Sequence, residues 1–283
     1  MLFRSKRRLA LIPNVLTIAG TDPTGGAGIQ ADLKAFSAHG AYGMSVVTAV
    51  VAQNTRGVGS IVAMEPEFVA EQIAAVFEDV RVDAVKIGMV ANADIADAIT
   101  QSLDKYAQCP VVLDPVMVAK SGDHLMNQDD VEAIRVRLVP RATLITPNLP
   151  EASVLLGRDV EMSSLEEMRE SLNGLRALGA EWVLLKGGHL GGEESIDILT
   201  GQETVELTAP RVDTINDHGT GCTLSAAIAA LLPRHGYVEA VRRAKDYLTQ
   251  ALRHADELDV GAGHGPVHHF HAMWSAELQG AQR

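Results

Sequence analysis

Cysteine is scarce: Cys109 and Cys222 are the only two in a chain of 283 residues. Two thiols build no disulfide framework, and neither belongs to a C-x-x-C pair that would point to zinc or dithiol redox chemistry. A reducing, cytoplasmic setting fits that usage. Basic residues are also few, 24 Lys and Arg against 36 Asp and Glu, for a formal net charge of -12. That balance disfavours nucleic acid as a partner held by bulk electrostatics, although a small charged substrate in a locally cationic cleft stays compatible with it. No apolar run suits a membrane partner. Behind the basic residues 1–8, Pro13 and Asn14 break the sequence before a signal-peptide core or a span forms, so residues 1–13 read as a disordered leader. Missing too are repeats, low-complexity blocks and linkers rich in Pro, Gly or Ser, which leaves residues 14–283 as a single domain. With 47% hydrophobic residues, that domain has ample apolar surface to bury.

What is present is alternation. Short β-rich runs at residues 15–19, 45–52, 58–64, 84–87, 111–114, 142–146 and 182–186 are interleaved with longer helical patterns. A helix is predicted over residues 28–39. Another opens at Pro66 and places Val69, Ile73, Val76 and Phe77 on one face, and a closing helix over residues 238–258 carries Val241, Ala244, Leu248 and Leu252 in register. Residues 195–200 and 203–207, split by Gly201, read as a hairpin. Repeated βα units argue for an α/β fold around a large, mostly parallel sheet, and ligands of such sheets lie beyond the carboxyl ends of the strands.

Polar residues collect at those ends. After the first strand comes Gly20-Thr21-Asp22-Pro23-Thr24-Gly25-Gly26-Ala27-Gly28, a glycine-dense loop that is neither a Walker A sequence nor a G-x-G-x-x-G fingerprint. Asp114, Asn148 and Lys186 follow later strands, supplying the carboxylates and cations that phosphoryl transfer needs. Asn148 and Glu151 also satisfy a capping box, and Lys186-Gly187-Gly188-His189 suits a phosphate cradle. Near the C-terminus, Gly219-Thr220-Gly221-Cys222 runs into an apolar helical stretch. That segment alone fits two readings: a turn capped by Thr220 with Cys222 as a small buried hydrophobe, or an anion hole in which the helix terminus lowers the thiol pKa toward neutrality. His268, His269 and His271 are crowded behind Pro266 with no identified carboxylate partner, and fit packing or an interface better than zinc.

Taken together, residues 19–32, Ala52-Gln53-Asn54-Thr55-Arg56-Gly57, Lys86-Ile87-Gly88-Met89, Asp114-Pro115-Val116-Met117 and His218-Gly219-Thr220-Gly221-Cys222 resemble the hydroxymethylpyrimidine/phosphomethylpyrimidine kinases, over residues 14–271. The resemblance implies a ribokinase-like three-layer αβα sandwich and two ATP-dependent phosphorylations in thiamine biosynthesis, first of an aminopyrimidine hydroxymethyl group and then of the resulting monophosphate. It also implies roles. Gln53 would pair with the aminopyrimidine edge, with Gly20, Ala27, Asp32, Met89 and Val116 lining that pocket. Cys222 would be the general base beside an anion hole of Gly219, Thr220 and Gly221. Asp114 and Glu151 would act around Mg2+, directly or through water, with Lys186 and Asn148 toward the nucleotide phosphates. A homodimer is implied as well, for which the valine-rich residues 45–64 offer an interface.

One position departs from the family pattern, which has Asn-Thr-His where this chain has Asn216-Asp217-His218, and so adds a carboxylate near the triphosphate. Pyridoxal, whose ring also carries a hydroxymethyl group, is the rival substrate, and a non-catalytic pyrimidine or nucleotide sensor is the rival of another class. An NAD-dependent oxidoreductase is disfavoured by the missing dinucleotide fingerprint. The loop of Lys120, Ser121, Gly122 and Asp123 reads equally as a phosphate-covering segment or a plain surface loop.

Overall fold

The computed structural model describes residues 12–117 and 127–274. Most of the predicted leader, and the loop of Lys120 to Asp123, lie outside the described residues.

The first βα unit is β1 (Asn14–Ala19) followed by α1 (Gly28–Ala38) and β2 (Tyr42–Val47). A small hairpin comes next, β3 (Ala49–Asn54) and β4 (Gly57–Ala63), before α2 (Pro66–Asp79), β5 (Ala84–Ile87), α3 (Ala93–Tyr106) and β6 (Val111–Leu113). Then come α4 (Gln128–Ala133), β7 (Leu144–Ile145), α5 (Leu149–Leu155), α6 (Leu165–Ala177) and β8 (Trp182–Leu185). The chain closes with β9 (Glu194–Thr200), β10 (Thr204–Pro210), α7 (Thr220–Leu231) and α8 (Tyr237–Arg253).

Eight strands make one sheet in the order β10-β9-β8-β7-β6-β5-β1-β2, while β3 and β4 pair separately. From β2 through β8 neighbouring strands run parallel, and β9 and β10 complete the far edge antiparallel. Alternation along β1 explains the layers. Leu16 and Ile18 pack with Val69 and Ile73 of α2 and with Ile95 and Ile99 of α3, whereas Val15 faces Phe36 of α1 and Ile228 of α7. Both faces are covered by helices, giving the predicted three-layer sandwich.

Several boundaries differ from the sequence reading, the run of residues 142–146 for instance forming a strand only over Leu144–Ile145. Residues 45–52 form no continuous strand, because the chain leaves the main sheet at Thr48. That residue is fully buried; its N–H donates to the Ala19 carbonyl at 3.0 Å and its hydroxyl to the Met89 carbonyl at 2.7 Å. A hydroxyl with a carbonyl partner resolves the valine-rich run into a sheet strand and a flap strand. The closing helix stops at Arg253, and a 3-10 turn over Ala255–Glu257 replaces its predicted last turn.

β1 pairs with β2 on one side and β5 on the other, so the chain reverses its winding direction at β1. Such a switch point opens a crevice beyond the strand ends. The flap overhangs it: the Thr21 N–H donates to the Ala49 carbonyl at 3.0 Å, and the Val51 N–H to the Thr21 hydroxyl at 3.0 Å.

Candidate active site

A cleft of about 780 Å³ occupies that crevice. The ends of β1 and β5 supply Gly20 and Met89, the glycine loop supplies Ala27, the flap supplies Gln53, and the segment after β6 supplies Asp114 and Val116. Asn148 and Glu151 enter from the start of α5, Lys186 from the end of β8, and Gly219, Thr220, Gly221 and Cys222 from the start of α7. One expected lining residue is elsewhere. Asp32 is fully buried on α1, where it accepts from Lys86 Nζ at 2.8 and 2.9 Å and from the Thr17 hydroxyl at 2.6 Å. It is Lys86, its partner, that reaches the cleft.

The α7 terminus has the form of an anion site. Gly219 is the N-cap with φ of 77°, and no side chain caps the helix, so Thr220 is not the capping residue. By helix geometry the first-turn amides lack intrahelical acceptors, and in a helix of 12 residues they lie at the positive end of the dipole. A left-handed N-cap is open to glycine, and here a Cβ would overlap the Gly26 carbonyl oxygen.

Across from these amides, Lys186 Nζ donates to Asp114 Oδ1 at 2.9 Å and lies 3.9 Å from Glu151 Oε2. Asp114 Oδ1 also accepts from the Thr146 hydroxyl at 2.9 Å. A Cβ placed on Gly221 would stand 3.3 Å from Lys186 Nζ and 3.4 Å from Asp114 Oδ2, so cation, carboxylate and helix terminus abut. Burial works to raise the Asp114 carboxyl, but Lys186 and Lys86 outweigh it and hold the group below the usual carboxylate range. Glu151 goes the other way: burial, opposed by Lys186 but reinforced by Asp114, lifts it to about 7. The capping box is present, with the Asn148 side chain accepting from the Glu151 N–H at 2.8 Å and Glu151 Oε2 accepting from the Asn148 N–H at 2.8 Å.

Cys222 corrects an expectation. Its thiol is not lowered toward neutrality by the helix terminus; burial pushes it up to about 11 against the pull of Lys86, with Asp32 and Asp114 adding to the rise. The helix dipole is a fraction of a charge, whereas the two aspartates carry whole ones in a poorly solvated site.

The glycine loop is organised by a residue to which the sequence reading gave no role. Asp22 is fully buried and accepts from the Thr24 N–H at 2.9 Å, the Gly26 N–H at 3.1 Å, the Ala27 N–H at 2.8 Å and the Thr24 hydroxyl at 2.7 Å. His218 Nε2 completes the set at 2.8 Å. Burial would raise this carboxyl, yet hydrogen bonds from His218, Thr24 and Gln53 hold it well below the usual range. The legible signal was local, since an aspartate two residues before a threonine in a glycine-rich turn is poised for an Asx-turn. His218 came from 196 residues away.

The C-terminal histidines diverge. His269 Nε2 meets the Thr223 hydroxyl at 3.0 Å, His268 Nδ1 accepts from the Phe270 N–H at 3.2 Å, and His271 Nδ1 donates to the His268 carbonyl at 3.1 Å. Burial drives His269 down to about 3, leaving a neutral ring packed against α7. Among the described residues, no group of three or more His, Cys, Asp or Glu side chains is placed to hold a metal ion.

The family model described as phosphomethylpyrimidine kinase matches residues 22–268, which include every cleft residue named above except Gly20. The chain belongs to that family. It is 57% identical over 263 residues to a hydroxymethylpyrimidine/phosphomethylpyrimidine kinase of Escherichia coli K12, covering 92% of this chain and 98% of the relative. Among solved structures, a phosphomethylpyrimidine kinase of Clostridium difficile 630 is 43% identical with a TM-score of 0.75, covering 85% of this chain and 99% of that one. A Bacillus subtilis pyridoxal kinase solved as an ADP complex superposes with a TM-score of 0.86 at 36% identity, covering 93% of this chain and all of that one. The fold is therefore ribokinase-like and the protein is a kinase.

In this kinase the buried Lys86–Asp32 pair lies close enough to Cys222 to act on its thiol. Burial opposes the ammonium, and Asp32, with Asp114 adding to it, overcomes that penalty, so Lys86 stays charged. Lys86→Met strands Asp32 without its partner, and we expect a loss of about 3–5 kcal/mol of stability in urea unfolding, largely restored by adding Asp32→Asn. A loss below about 1 kcal/mol would show that the pair does not hold the cleft floor together.

Proposed function

We propose that this kinase transfers the γ-phosphoryl group of ATP to the hydroxymethyl group of 4-amino-5-hydroxymethyl-2-methylpyrimidine, and then phosphorylates the monophosphate to the diphosphate, in thiamine diphosphate biosynthesis. The observation that carries the reading is the convergence of Cys222, at the mouth of a glycine anion hole, with the flap residue Gln53 in one cleft. High identity to named kinases of this activity supports it.

Each role follows from chemistry. The Gln53 amide both donates and accepts, which suits the edge of an aminopyrimidine. Gly20, Ala27, Met89 and Val116 complete the apolar surround, and Asp32 acts one layer below by holding Lys86. Amides of Gly219, Thr220 and Gly221 receive the transferring phosphoryl oxygens, with Lys186 and Asn148 toward the nucleotide. The thiolate form of Cys222 takes the hydroxyl proton as the substrate oxygen bonds to the γ-phosphorus and the bond to the departing ADP breaks, a requirement only of the first step, since a phosphate oxygen is already anionic near neutral pH.

The donor set fits Mg2+. Asp114 and Glu151 present hard carboxylate oxygens beside the anion hole, and magnesium binds through one or two carboxylates plus substrate phosphates rather than an all-protein cage. Bound there, directly or through water, the ion neutralises phosphate charge. Glu151 takes up a proton near pH 7 and must lose it to serve as a ligand, so cation affinity should rise with pH through that region. Calorimetric Mg2+ titrations at pH 6 and pH 8 in buffers of different ionisation enthalpy would show a proton released at pH 6; no buffer dependence would rule out Glu151 as the linked group.

The reading takes residues 14–283 as one catalytic unit and the protein as a cytoplasmic homodimer. Exposed apolar side chains at Tyr42, Val50, Ile61 and Val62, on β2 and the flap, support the dimer. Among the described residues no helix is long and apolar enough to cross a membrane. The deciding experiment is product analysis by mass spectrometry with ATP, Mg2+ and hydroxymethylpyrimidine, beside a matched pyridoxal reaction. Diphosphate from the pyrimidine is expected. Pyridoxal phosphate alone would transfer the assignment to the substrate of the pyridoxal kinase neighbours, and no product from either would favour a sensor.

A further inference from the structure

Asp217 is a carboxylate at the rim of a site built for anions. It lines the cleft two residues before Gly219, and its carbonyl accepts from the Thr220 N–H at 3.4 Å, which places it within one turn of the anion hole. A further acidic group there repels phosphate unless its orientation is controlled.

Control comes from the segment of residues 261–266. His264 Nδ1 stands 3.1 Å from Asp217 Oδ1 and 3.2 Å from the Ile215 carbonyl oxygen. Both neighbours are acceptors, so Nδ1 carries the proton and donates to them. The segment itself is fastened on two sides. On the flap side, the His264 N–H donates to the Thr55 carbonyl at 2.8 Å and the Gly263 N–H to the Thr55 hydroxyl at 3.1 Å. On the anion-hole side, the Gly265 N–H donates to Asn216 Oδ1 at 3.1 Å and its carbonyl accepts from the His218 N–H at 3.0 Å. The imidazole is therefore presented to Asp217 by a backbone that has little freedom to withdraw it.

We propose that His264 is a positioning residue for nucleotide binding: its Nδ1–H tethers the Asp217 carboxylate to this segment and keeps it from turning toward the triphosphate held by residues 219–221. The proposal rests on reading the cleft as the ATP site. Because the His264 backbone N–H also donates to the carbonyl of Thr55, two residues beyond Gln53, the residue that holds Asp217 is itself fastened to the flap end of the cleft.

The test is a double-mutant cycle read by calorimetric binding of the non-hydrolysable ATP analogue AMP-PNP with Mg2+, in the full chain. His264→Ala should weaken binding about fivefold, while His264→Asn, whose amide nitrogen takes the place of Nδ1–H, should stay within about twofold of the parent. Adding Asp217→Asn to His264→Ala should bring affinity back to within about twofold, because the side chain at position 217 then carries no charge. His264 is exposed, and matching melting temperatures of the variants would exclude a folding defect. Equal weakening by His264→Ala with and without Asp217, or no weakening at all, overturns the tether. Failure of the parent protein to bind the analogue overturns the ATP-site reading instead, and the tether with it.

Discussion

Cys222→Ala is expected to slow the first phosphorylation by about 10²–10⁴-fold while the second, assayed from the monophosphate, stays within about tenfold of the parent. The asymmetry follows from the nucleophiles: an alcohol must shed a proton as it attacks, whereas a phosphate oxygen needs no base. Removing a thiol leaves the α7 amides, Asp114 and Lys186 in place, so the charge stabilisation common to both steps persists. Because burial pushes the free thiol up to about 11, only a small fraction is thiolate at neutral pH, and that fraction grows about tenfold per pH unit below the pKa. In the parent protein the first step should therefore accelerate from pH 7 to pH 9 more than the second. Single-turnover rates from the alcohol and from the monophosphate, across that range, check both statements. Equal losses in the two steps, or parallel pH profiles, would remove Cys222 from the role of base.

Gly219→Ala should disable both steps together, by about 10²–10³-fold in kcat/KM, because it attacks the anion hole rather than the base. Gly219 has φ of 77°, and a left-handed residue with a Cβ carries a strain of about 1–2 kcal/mol before any contact is counted. The contact is worse than the strain. The Cβ would overlap the Gly26 carbonyl oxygen, and that loop has little room to retreat, since Asp22 Oδ2 holds the Gly26 N–H at 3.1 Å, the Ala27 N–H at 2.8 Å and His218 Nε2 at 2.8 Å. Relief must come from moving the helix start, which displaces the amides that bind phosphate. The melting temperature should fall as well. A variant with normal second-step turnover would show that the phosphoryl group is stabilised elsewhere.

The contrast between these two variants separates what was legible in the chain from what was not. Glycines at 219 and 221 ahead of an apolar helix, strand-end Asp114 and Lys186, and the Asn148–Glu151 capping box were readable because turns, caps and strand ends are written in neighbouring residues. All of them reach one cleft. Asp32 was misplaced. The family resemblance implies a place for it in the pocket lining, but its side chain points into the core toward Lys86, and that pairing crosses 54 residues. The valine-rich residues 45–52 read as one strand because periodicity cannot register that Thr48 finds carbonyl and amide partners outside the strand.

The amino-acid sequence by itself determined the βα alternation, the parallel sheet, the glycine turns and the positions at which charge is offered, since each depends on local conformational preference and on period-2 or 3.6 patterning. Tertiary structure alone decided which carboxylates meet which cations, that Glu151 titrates near 7 and the Cys222 thiol near 11, that Asp22 is bound by a histidine from the far end of the chain, and that Asp217 is tied to His264. Those outcomes are set by burial and by charges brought together from distant segments, and electrostatic free energy depends on distance and solvent exclusion, neither of which a linear sequence contains.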